Sequence, residues 1–215
     1  MEKLDYRFQS AWTATALSNQ ESPIEINQSA VFMGDDWQVD WTNFQNTPVK
    51  KSQEVIGDQF YCQGQLILNQ QAWHVVRFHI HDGAEHLIDG QRYAAEIHIV
   101  CQNQLGQTMV VGAFAEVDEN HPFIFAPLFS EEKKMVNLQD LLPVEKRGCF
   151  TYTGSLTTPP LKKDINWVLL DEPVGISPQD LATFAEAYPD NYRECQPLFG
   201  RTVVYHHLSP MHHSK

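Results

Sequence analysis

The chain has 215 residues, of which 11% are aromatic and 20% are charged, and its formal net charge is -12 at pH 7. These values are typical of a globular protein with one substantial core, and they argue against a disordered or fibrous chain. No apolar run approaches the roughly 20 residues that span a bilayer. An acidic chain without a basic cluster is a poor partner for nucleic acid. We therefore expect a single domain over residues 1–215, without a membrane or nucleic-acid partner.

The first residues and the cysteines both bear on location. The chain starts with alternating charges and has no apolar segment of the signal-peptide type, which predicts a cytoplasmic protein. Its four cysteines form no C-x-x-C pair, so we expect reduced, mostly buried thiols, with two disulfide bonds as the open alternative. These cysteines are Cys62, Cys101, Cys149 and Cys195.

Most segments have the length and composition of short strands separated by turn residues. The predicted strands are, in chain order, residues 73–81, 93–101, 109–117, 148–153, 165–170 and 202–207. We therefore predict a mainly β (α+β) fold in which one sheet dominates a single domain.

One helix is predicted from Ser177 to Tyr188. Ser177 suits the N-cap, Pro178 the first helical position, and Asp180 completes a capping-box-like pair. Apolar side chains at helical spacing give the predicted buried stripe of Leu181, Phe184, Ala185 and Tyr188. At the C-terminus, a solvated tail is expected to carry His206, His207, His212 and His213.

Two neighbouring predicted strands carry three histidines at strand spacing. Alternate side chains of a strand share a face, so one face of the first strand is predicted to carry Val75, Arg77, His79 and His81. The opposite face is then predicted to carry His74, Val76, Phe78 and Ile80. On the second strand Glu96, His98 and Val100 share a face, and an antiparallel pairing brings His98 opposite the other two ligands.

Three converging imidazoles are the donor set of a catalytic zinc site. Three neutral nitrogen ligands leave the ion its charge and an open fourth position, where a bound water becomes a hydroxide near neutral pH. Glu96 is predicted to accept the remaining ring N–H of a ligand. The residues alone thus predict one Zn²⁺ per chain held by His79, His81 and His98.

Several stretches carry a resemblance to a known family. They are residues 77–86 (RFHIHDGAEH), 93–100 (YAAEIHIV) and 152–160 (YTGSLTTPP), with weaker matches at 22–26 (SPIEI) and 191–198 (NYRECQPL). Together they resemble the α-class carbonic anhydrases of the bacterial type. The resemblance implies a central twisted, mostly antiparallel sheet of about ten strands with short peripheral helices. It also implies reversible hydration of carbon dioxide to bicarbonate and a proton by zinc-bound hydroxide.

The resemblance assigns roles to further residues. Thr157 matches the threonine that accepts a hydrogen bond from the zinc-bound hydroxide, and Glu85 matches the glutamate that accepts the proton of this threonine. Arg77 and Asn191 are counted with Glu96 among the residues that support the ligands. The implied substrate pocket consists of Val100, Val110, Leu156, Thr158 and Trp167.

The sequence also departs from the family pattern. Arg77 stands where a glutamine commonly accepts the ring N–H of the first ligand, and a guanidinium cannot accept a hydrogen bond. Asp82 replaces the usual aromatic residue. No histidine precedes His74, so the proton shuttle of fast relatives is predicted to be missing and turnover to be slowed. The aromatic-rich N-terminal segment of the family is not recognisable in residues 1–20.

The implied partners are carbon dioxide and bicarbonate, with sulfonamides and small anions as inhibitors, for a monomer or homodimer. Two other interpretations stay open. One is a catalytically weak or silent member of the family that acts as a binding module. The other is a cupin-type metal enzyme, in which Glu85 of the H-x-H-x3-E pattern would itself be a metal ligand.

Overall fold

The computed structural model describes residues 3–12, 19–130 and 134–211, and strands account for most of its regular structure. The strands are β1 (Glu25–Ile26), β2 (Phe32–Met33), β3 (Trp37–Asp40), β4 (Asn46–Pro48), β5 (Lys50–Glu54), β6 (Gly57–Leu68), β7 (Gln71–Asp82), β8 (Leu87–Ile88), β9 (Ala95–Gln102), β10 (Thr108–Val117), β11 (Met135–Asn137), β12 (Gly148–Gly154), β13 (Ile165–Leu170), β14 (Val174–Ile176) and β15 (Val204–Pro210). The helices are α1 (Ala126–Phe129) and α2 (Pro178–Ala187), with 3-10 turns at Tyr6–Ala11, Gln28–Ala30 and Leu138–Leu141. The prediction of a mainly β fold with short helices is confirmed.

Within the described residues, eleven strands form one mixed sheet in which antiparallel pairings predominate. The hydrogen-bonded path runs β12–β13–β10–β9–β7–β6–β3–β15. Strand β15 also pairs with β12, so this path returns to its first strand and closes into a ring. The expectation of about ten strands is therefore close to the observed number.

The two faces of this sheet carry separate apolar clusters. One face of β9 contributes Ile97, Ile99 and Cys101 to the larger core cluster, which also receives Phe78 and Ile80 from β7. The other face carries a smaller cluster around the polar side chains of the histidine strands. That second face holds the functional site described below.

A β-bulge in β7 corrects the predicted facing of its first residues. The pairing with β9 shifts between Val75 and Arg77, where two residues of β7 oppose one of β9. Before the bulge, His74 lies opposite Gln102, while Val75 lies opposite Cys101 and joins the larger core. The prediction was therefore wrong for both residues: His74 shares the face of the histidine ligands, and Val75 does not.

Helix α2 begins as predicted, but Asp180 has a different role. The Ser177 side chain accepts a hydrogen bond from the backbone N–H of Asp180, which makes Ser177 the N-cap. The Asp180 carboxylate does not return to Ser177; it accepts the backbone N–H groups of residues 124, 125 and 126. It therefore caps the start of α1 instead of completing a capping box. In the stripe, Phe184 is buried whereas Ala185 is exposed.

The histidine-rich C-terminal segment is more ordered than predicted. His206 and His207 belong to β15, and the ring of His206 stacks on Trp37 with centroids 4.0 Å apart. His212 and His213 lie outside the described residues.

All four cysteines are free thiols, three of them buried. No helix in the described part of the chain is long and apolar enough to cross a membrane.

Candidate metal centre and catalytic site

The three predicted histidines meet on the second face of the sheet. His79 and His81 are in phase on β7, and His79 lies directly opposite His98 in the antiparallel pairing with β9. The ring centroids are 5.0 Å apart for His79 and His81, 5.1 Å for His79 and His98, and 4.6 Å for His81 and His98. One ligand nitrogen from each ring lies within 4.8 Å of the others. This is the convergence that the strand spacing predicts.

The outer nitrogens of two rings are held by neighbouring acceptors. The Nδ1 of His81 lies 2.6 Å from the carbonyl oxygen of Asn191, and the Nε2 of His98 lies 2.8 Å from the Oε1 of Glu96. Their remaining nitrogens point inward, and the Nε2 of His81 is buried without a hydrogen-bond partner among the described residues. Buried polar atoms normally have a partner. Inward nitrogens without one, on rings oriented from behind, fit a zinc ion.

The electrostatics of the triad suit neutral ligands on β7. Burial lowers the pKa of His79 well below its usual value and also lowers the pKa of His81. Burial alone would lower the pKa of His98 as well, but the charge and hydrogen bond of Glu96 raise it overall. A metal must displace that proton, because an imidazole binds a metal only through an unprotonated nitrogen.

Glu96 connects the metal centre to the surrounding backbone. Its Oε1 lies 2.8 Å from His98 and 2.8 Å from the Nδ1 of His86, while its Oε2 accepts the backbone N–H groups of Glu85 and His86. Burial opposes ionisation, but His86 and His98 hold the pKa of Glu96 well below its ordinary value. The network continues from His86 to the hydroxyl of Tyr152. Glu96 is therefore an ionised, fully buried hydrogen-bond acceptor.

Glu85 and Thr157 are both buried, with 0% and 4% exposure, and Glu85 lies beside the triad. The Oε1 of Glu85 accepts the backbone N–H of Arg193 at 2.8 Å. Its Oε2 makes no hydrogen bond to any described residue and lies 3.4 Å from the Nε2 of His81. The expected hydrogen bond from Thr157 to Glu85 is therefore not formed in this structure, because the carboxylate oxygen faces the imidazoles instead.

The predicted apolar pocket residues pack together next to the triad. Val110 of β10 lies opposite Val100 on one side and Trp167 of β13 on the other, and Leu156 packs against the same cluster. The Trp167 ring is 4.9 Å from the ring of His98, and its Nε1 donates to the carbonyl of Ser155. An apolar surface is thus built directly against one metal-ligating ring. Thr158 is also buried, at 9% exposure.

Two predicted supporting residues behave differently from each other. Asn191 contacts the ligand strand three times: its carbonyl receives His81, its Oδ1 accepts the N–H of Asp82, and its Nδ2 donates to Ile80. Arg77 donates through Nε to the Oε1 of Gln59, 2.8 Å away, and makes no contact with the ring of His79 that the structure records. Asn191 therefore supports the second ligand, whereas Arg77 leaves the first ligand without an acceptor.

Sequence reasoning missed several residues around the site. The hydroxyl of Tyr6 is buried without a partner among the described residues, and burial together with the nearby charge of Glu85 raises its pKa. The Tyr6 ring packs edge-on against Trp12, with ring centroids 5.1 Å apart. The rest of that stretch, residues 1–2 and 13–18, lies outside the described residues. Arg193, whose N–H binds Glu85, was also missed. Its guanidinium binds Ser22 and Glu21.

A twisted sheet that carries three converging imidazoles beside an apolar wall defines a class of mononuclear zinc enzyme, and comparisons identify the family. A sequence profile of the eukaryotic-type carbonic anhydrases matches residues 7–207. A carbonic anhydrase of Nostoc sp. is 32% identical over 144 residues, which cover 62% of this chain and 54% of that protein.

Solved structures agree with the profile. Carbonic anhydrase Cah3 from Chlamydomonas reinhardtii in complex with acetazolamide has a TM-score of 0.79 at 24% identity, covering 92% of this chain and 95% of that chain. The α-carbonic anhydrase from Thermovibrio ammonificans in complex with the inhibitor sulfanilamide has a TM-score of 0.71 at 25% identity, covering 86% and 87%.

The chain belongs to the eukaryotic-type, or α-class, carbonic anhydrase family, because the family profile spans most of its length. The resemblance stated from the sequence motifs is thereby confirmed. The match to the curated Nostoc relative spans only about half of that protein, with 54% of its length covered.

Proposed function

We propose that this chain catalyses the reversible hydration of carbon dioxide to bicarbonate and a proton. The observation that carries the proposal is the convergence of His79, His81 and His98 next to the apolar cluster of Val110 and Trp167. A cation-binding centre on one side and an apolar wall on the other suit a small, neutral, apolar substrate.

In this proposal His79, His81 and His98 hold one zinc ion. When bound, zinc is a Lewis acid that lowers the pKa of a water molecule to about 7, as it does in carbonic anhydrases generally. The chain contributes the orientation of the ligands. Asn191 fixes the ring of His81 and Glu96 fixes the ring of His98, so both inward nitrogens are aimed before a metal arrives.

Thr157 and Glu85 are proposed to direct the attacking water. A threonine hydroxyl that donates its only proton to a carboxylate can accept a hydrogen bond from water but cannot donate one to it. The water is then held with a lone pair toward the substrate, and a geometry fixed in advance lowers the entropic part of the barrier. Forming this arrangement requires Glu85 Oε2 to turn from His81 toward Thr157.

Val100, Val110, Leu156 and Trp167 are proposed to hold carbon dioxide against the water. The substrate makes no strong hydrogen bonds, so an apolar wall binds it without competing with bulk water. Thr158 lies at the edge of the same wall. The pocket sets the direction of approach, and the ligand histidines set the position of the attacking group.

Proton export is proposed to be the slow step. No histidine precedes His74 in the chain. His74 is exposed and shares the face of the triad, but its partner Gln102 is four residues from His98, which places His74 roughly 14 Å from His98 at about 3.4 Å per residue. Direct transfer over that distance is excluded, so soluble buffer would have to collect the proton.

Inhibition follows from the same site. The relative from Thermovibrio ammonificans is seen with sulfanilamide, and we propose that sulfonamides and small anions also bind at the zinc of this chain.

We further propose a cytoplasmic monomer or homodimer. Four free thiols support the reducing compartment. Fractionation of cells and light scattering of the pure protein would test both statements.

The decisive experiment combines metal analysis with stopped-flow hydration. We expect one zinc per chain, and we expect a hydration rate that a primary sulfonamide abolishes and that His98→Ala loses together with the metal. Zinc without hydration activity would instead indicate a silent binding module. Iron or manganese bound with Glu85 as a ligand would indicate cupin-type chemistry, and either result would overturn the proposal.

A further inference from the structure

The first zinc ligand differs from the other two in its surroundings. The outer nitrogens of His81 and His98 each lie within 2.8 Å of an oxygen acceptor. The Nδ1 of His79 is buried, yet it has no hydrogen-bond partner among the described residues. A buried ring nitrogen left without a partner is costly, because desolvation is not repaid by a hydrogen bond. One ring of the triad is therefore oriented by packing alone.

The neighbours of His79 explain this lack of a partner. Arg77 lies two residues earlier on the same face, and its guanidinium offers only donors. The nearby Gln59 does carry an acceptor, but that oxygen already receives the Nε of Arg77 at 2.8 Å, and Gln59 is 1% exposed. Asp82 is also occupied, because its carboxylate accepts the N–H of Asp190. The two oxygens that could serve here, Gln59 Oε1 and Asp82 Oδ2, therefore already receive another donor.

Arg77 also places a positive charge beside the centre. The guanidinium belongs to the residue two positions before His79 on the same face of β7, so its charge lies on the side of the triad. The field of this charge acts against a divalent cation at the inner nitrogens of the triad. The missing acceptor and the nearby charge therefore disfavour metal binding together.

We propose that His79 faces the metal with its Nε2 and that Arg77 is a positioning residue that weakens zinc binding, because it occupies Gln59 and leaves the outward Nδ1 of His79 without an acceptor. The inference rests on the proposed zinc site and concerns how tightly that site holds its metal. Outer partners of metal-ligating histidines typically change affinity by about 10- to 100-fold. An acceptor supplied at position 77 should therefore tighten zinc binding by about that factor.

The test measures zinc affinity by competition with a chromophoric chelator, using the full chain stripped of metal. Arg77→Gln removes the charge and supplies a carbonyl, whereas Arg77→Met removes the charge and supplies no acceptor. We expect Arg77→Gln to bind zinc about 10- to 100-fold more tightly than the unchanged chain. Arg77→Met should gain less than Arg77→Gln. Equal affinities for both variants in a Gln59→Leu background, or no gain for Arg77→Gln, would overturn the proposal.

Two controls keep the comparison clean. The amide of Gln59 is released when Arg77 is replaced, so both variants are repeated in a Gln59→Leu background, where that amide cannot substitute for the missing acceptor. In that background, nuclear magnetic resonance of the zinc-loaded protein should show a slowly exchanging ring N–H of His79 in Arg77→Gln and not in Arg77→Met. A structural change without a new hydrogen bond would not produce this signal, and its absence contradicts the proposal.

The outcome also separates this inference from the proposed function. If the unchanged chain and His98→Ala bind zinc equally weakly, the three-histidine site itself is wrong. If the unchanged chain binds one zinc that His98→Ala loses, and Arg77→Gln binds no more tightly, only the role of Arg77 is wrong. Circular dichroism of each metal-free variant verifies that the chain is folded.

Discussion

Replacing Glu96 by glutamine changes one oxygen of a buried carboxylate into an amino group and leaves the volume of the side chain almost unchanged. The carboxylate is fully buried and meets four nitrogen groups: the rings of His98 and His86 at one oxygen, and the backbone N–H groups of Glu85 and His86 at the other. A glutamine has a single carbonyl oxygen, so in either orientation its amino group faces two of these donors.

The expected loss follows from that count. Hydrogen bonds to a charged group contribute about 1.5–3 kcal/mol each, so two lost bonds cost about 3–6 kcal/mol of folding stability. This is a large part of the roughly 5–15 kcal/mol that keeps a domain folded. When the amino group faces the histidines, the outer support of His98 is lost as well. We then expect zinc affinity to fall by about 10- to 100-fold.

Urea unfolding of the metal-free protein measures the first effect, and competition with a chelator measures the second. Glu116→Gln is the matched control, because Glu116 is an exposed glutamate on β10, the strand next to that of Glu96. The reasoning is refuted if Glu96→Gln unfolds at the same urea concentration as Glu116→Gln. If stability falls while zinc affinity is unchanged, the amide nitrogen of the glutamine faces the backbone N–H groups and not the histidines.

Three further predictions address pH, the pocket and the proton. Burial lowers the pKa of His79 and of His81, while a neighbouring carboxylate raises the pKa of His98 against the effect of burial. Two histidines are thus harder to protonate in the folded chain and one is easier, so on balance the unfolded chain binds more protons below about pH 6.5. The free energy of unfolding of the metal-free protein should therefore fall between pH 7 and pH 5, and equal stability in urea titrations at both pH values would contradict this. Val110→Phe should reduce kcat/KM for carbon dioxide by at least about tenfold with zinc content unchanged, since the added ring would occupy the space proposed for the substrate. Unchanged hydration would exclude the assigned pocket. The hydration rate should rise with imidazole concentration, and the rise should be the same in His74→Ala as in the unchanged chain. A rate that does not change with imidazole concentration would show that a proton shuttle exists.

The parts of the site that the sequence predicts are those that depend on local spacing. Alternation along β7 and β9 places His79, His81 and His98 on one face, and the pairing register follows from the hydrophobic pattern on the other face. The same alternation fails in the first part of β7, before Arg77. The bulge after Val75 inserts one residue, and hydrophobic periodicity gives no sign of it, so His74 was assigned to the wrong face.

Other features depend on contacts between distant parts of the chain. Asp180 carries a suitable capping signal, yet its partners are backbone groups more than 50 residues away in sequence. The pair of Arg77 and Gln59 lies across two strands, and Arg193 reaches Glu85 from the far end of the chain. Such contacts are decided by which segments the fold brings together, and a pattern of neighbouring residues does not encode them.

Strand β15 holds an unusual place in the sheet, because it pairs with β12 through its first half and with β3 through its second. Separating β15 would expose the backbone donors and acceptors of β12, β2 and β3 at once, and each exposed strand is a template to which another molecule can add. Because β15 lies on the far side of the ring from β7 and β9, damage to it would first appear as aggregation of protein whose histidine site is intact. Strand β15 thus keeps the protein from aggregating, whereas the histidine site is built by other strands.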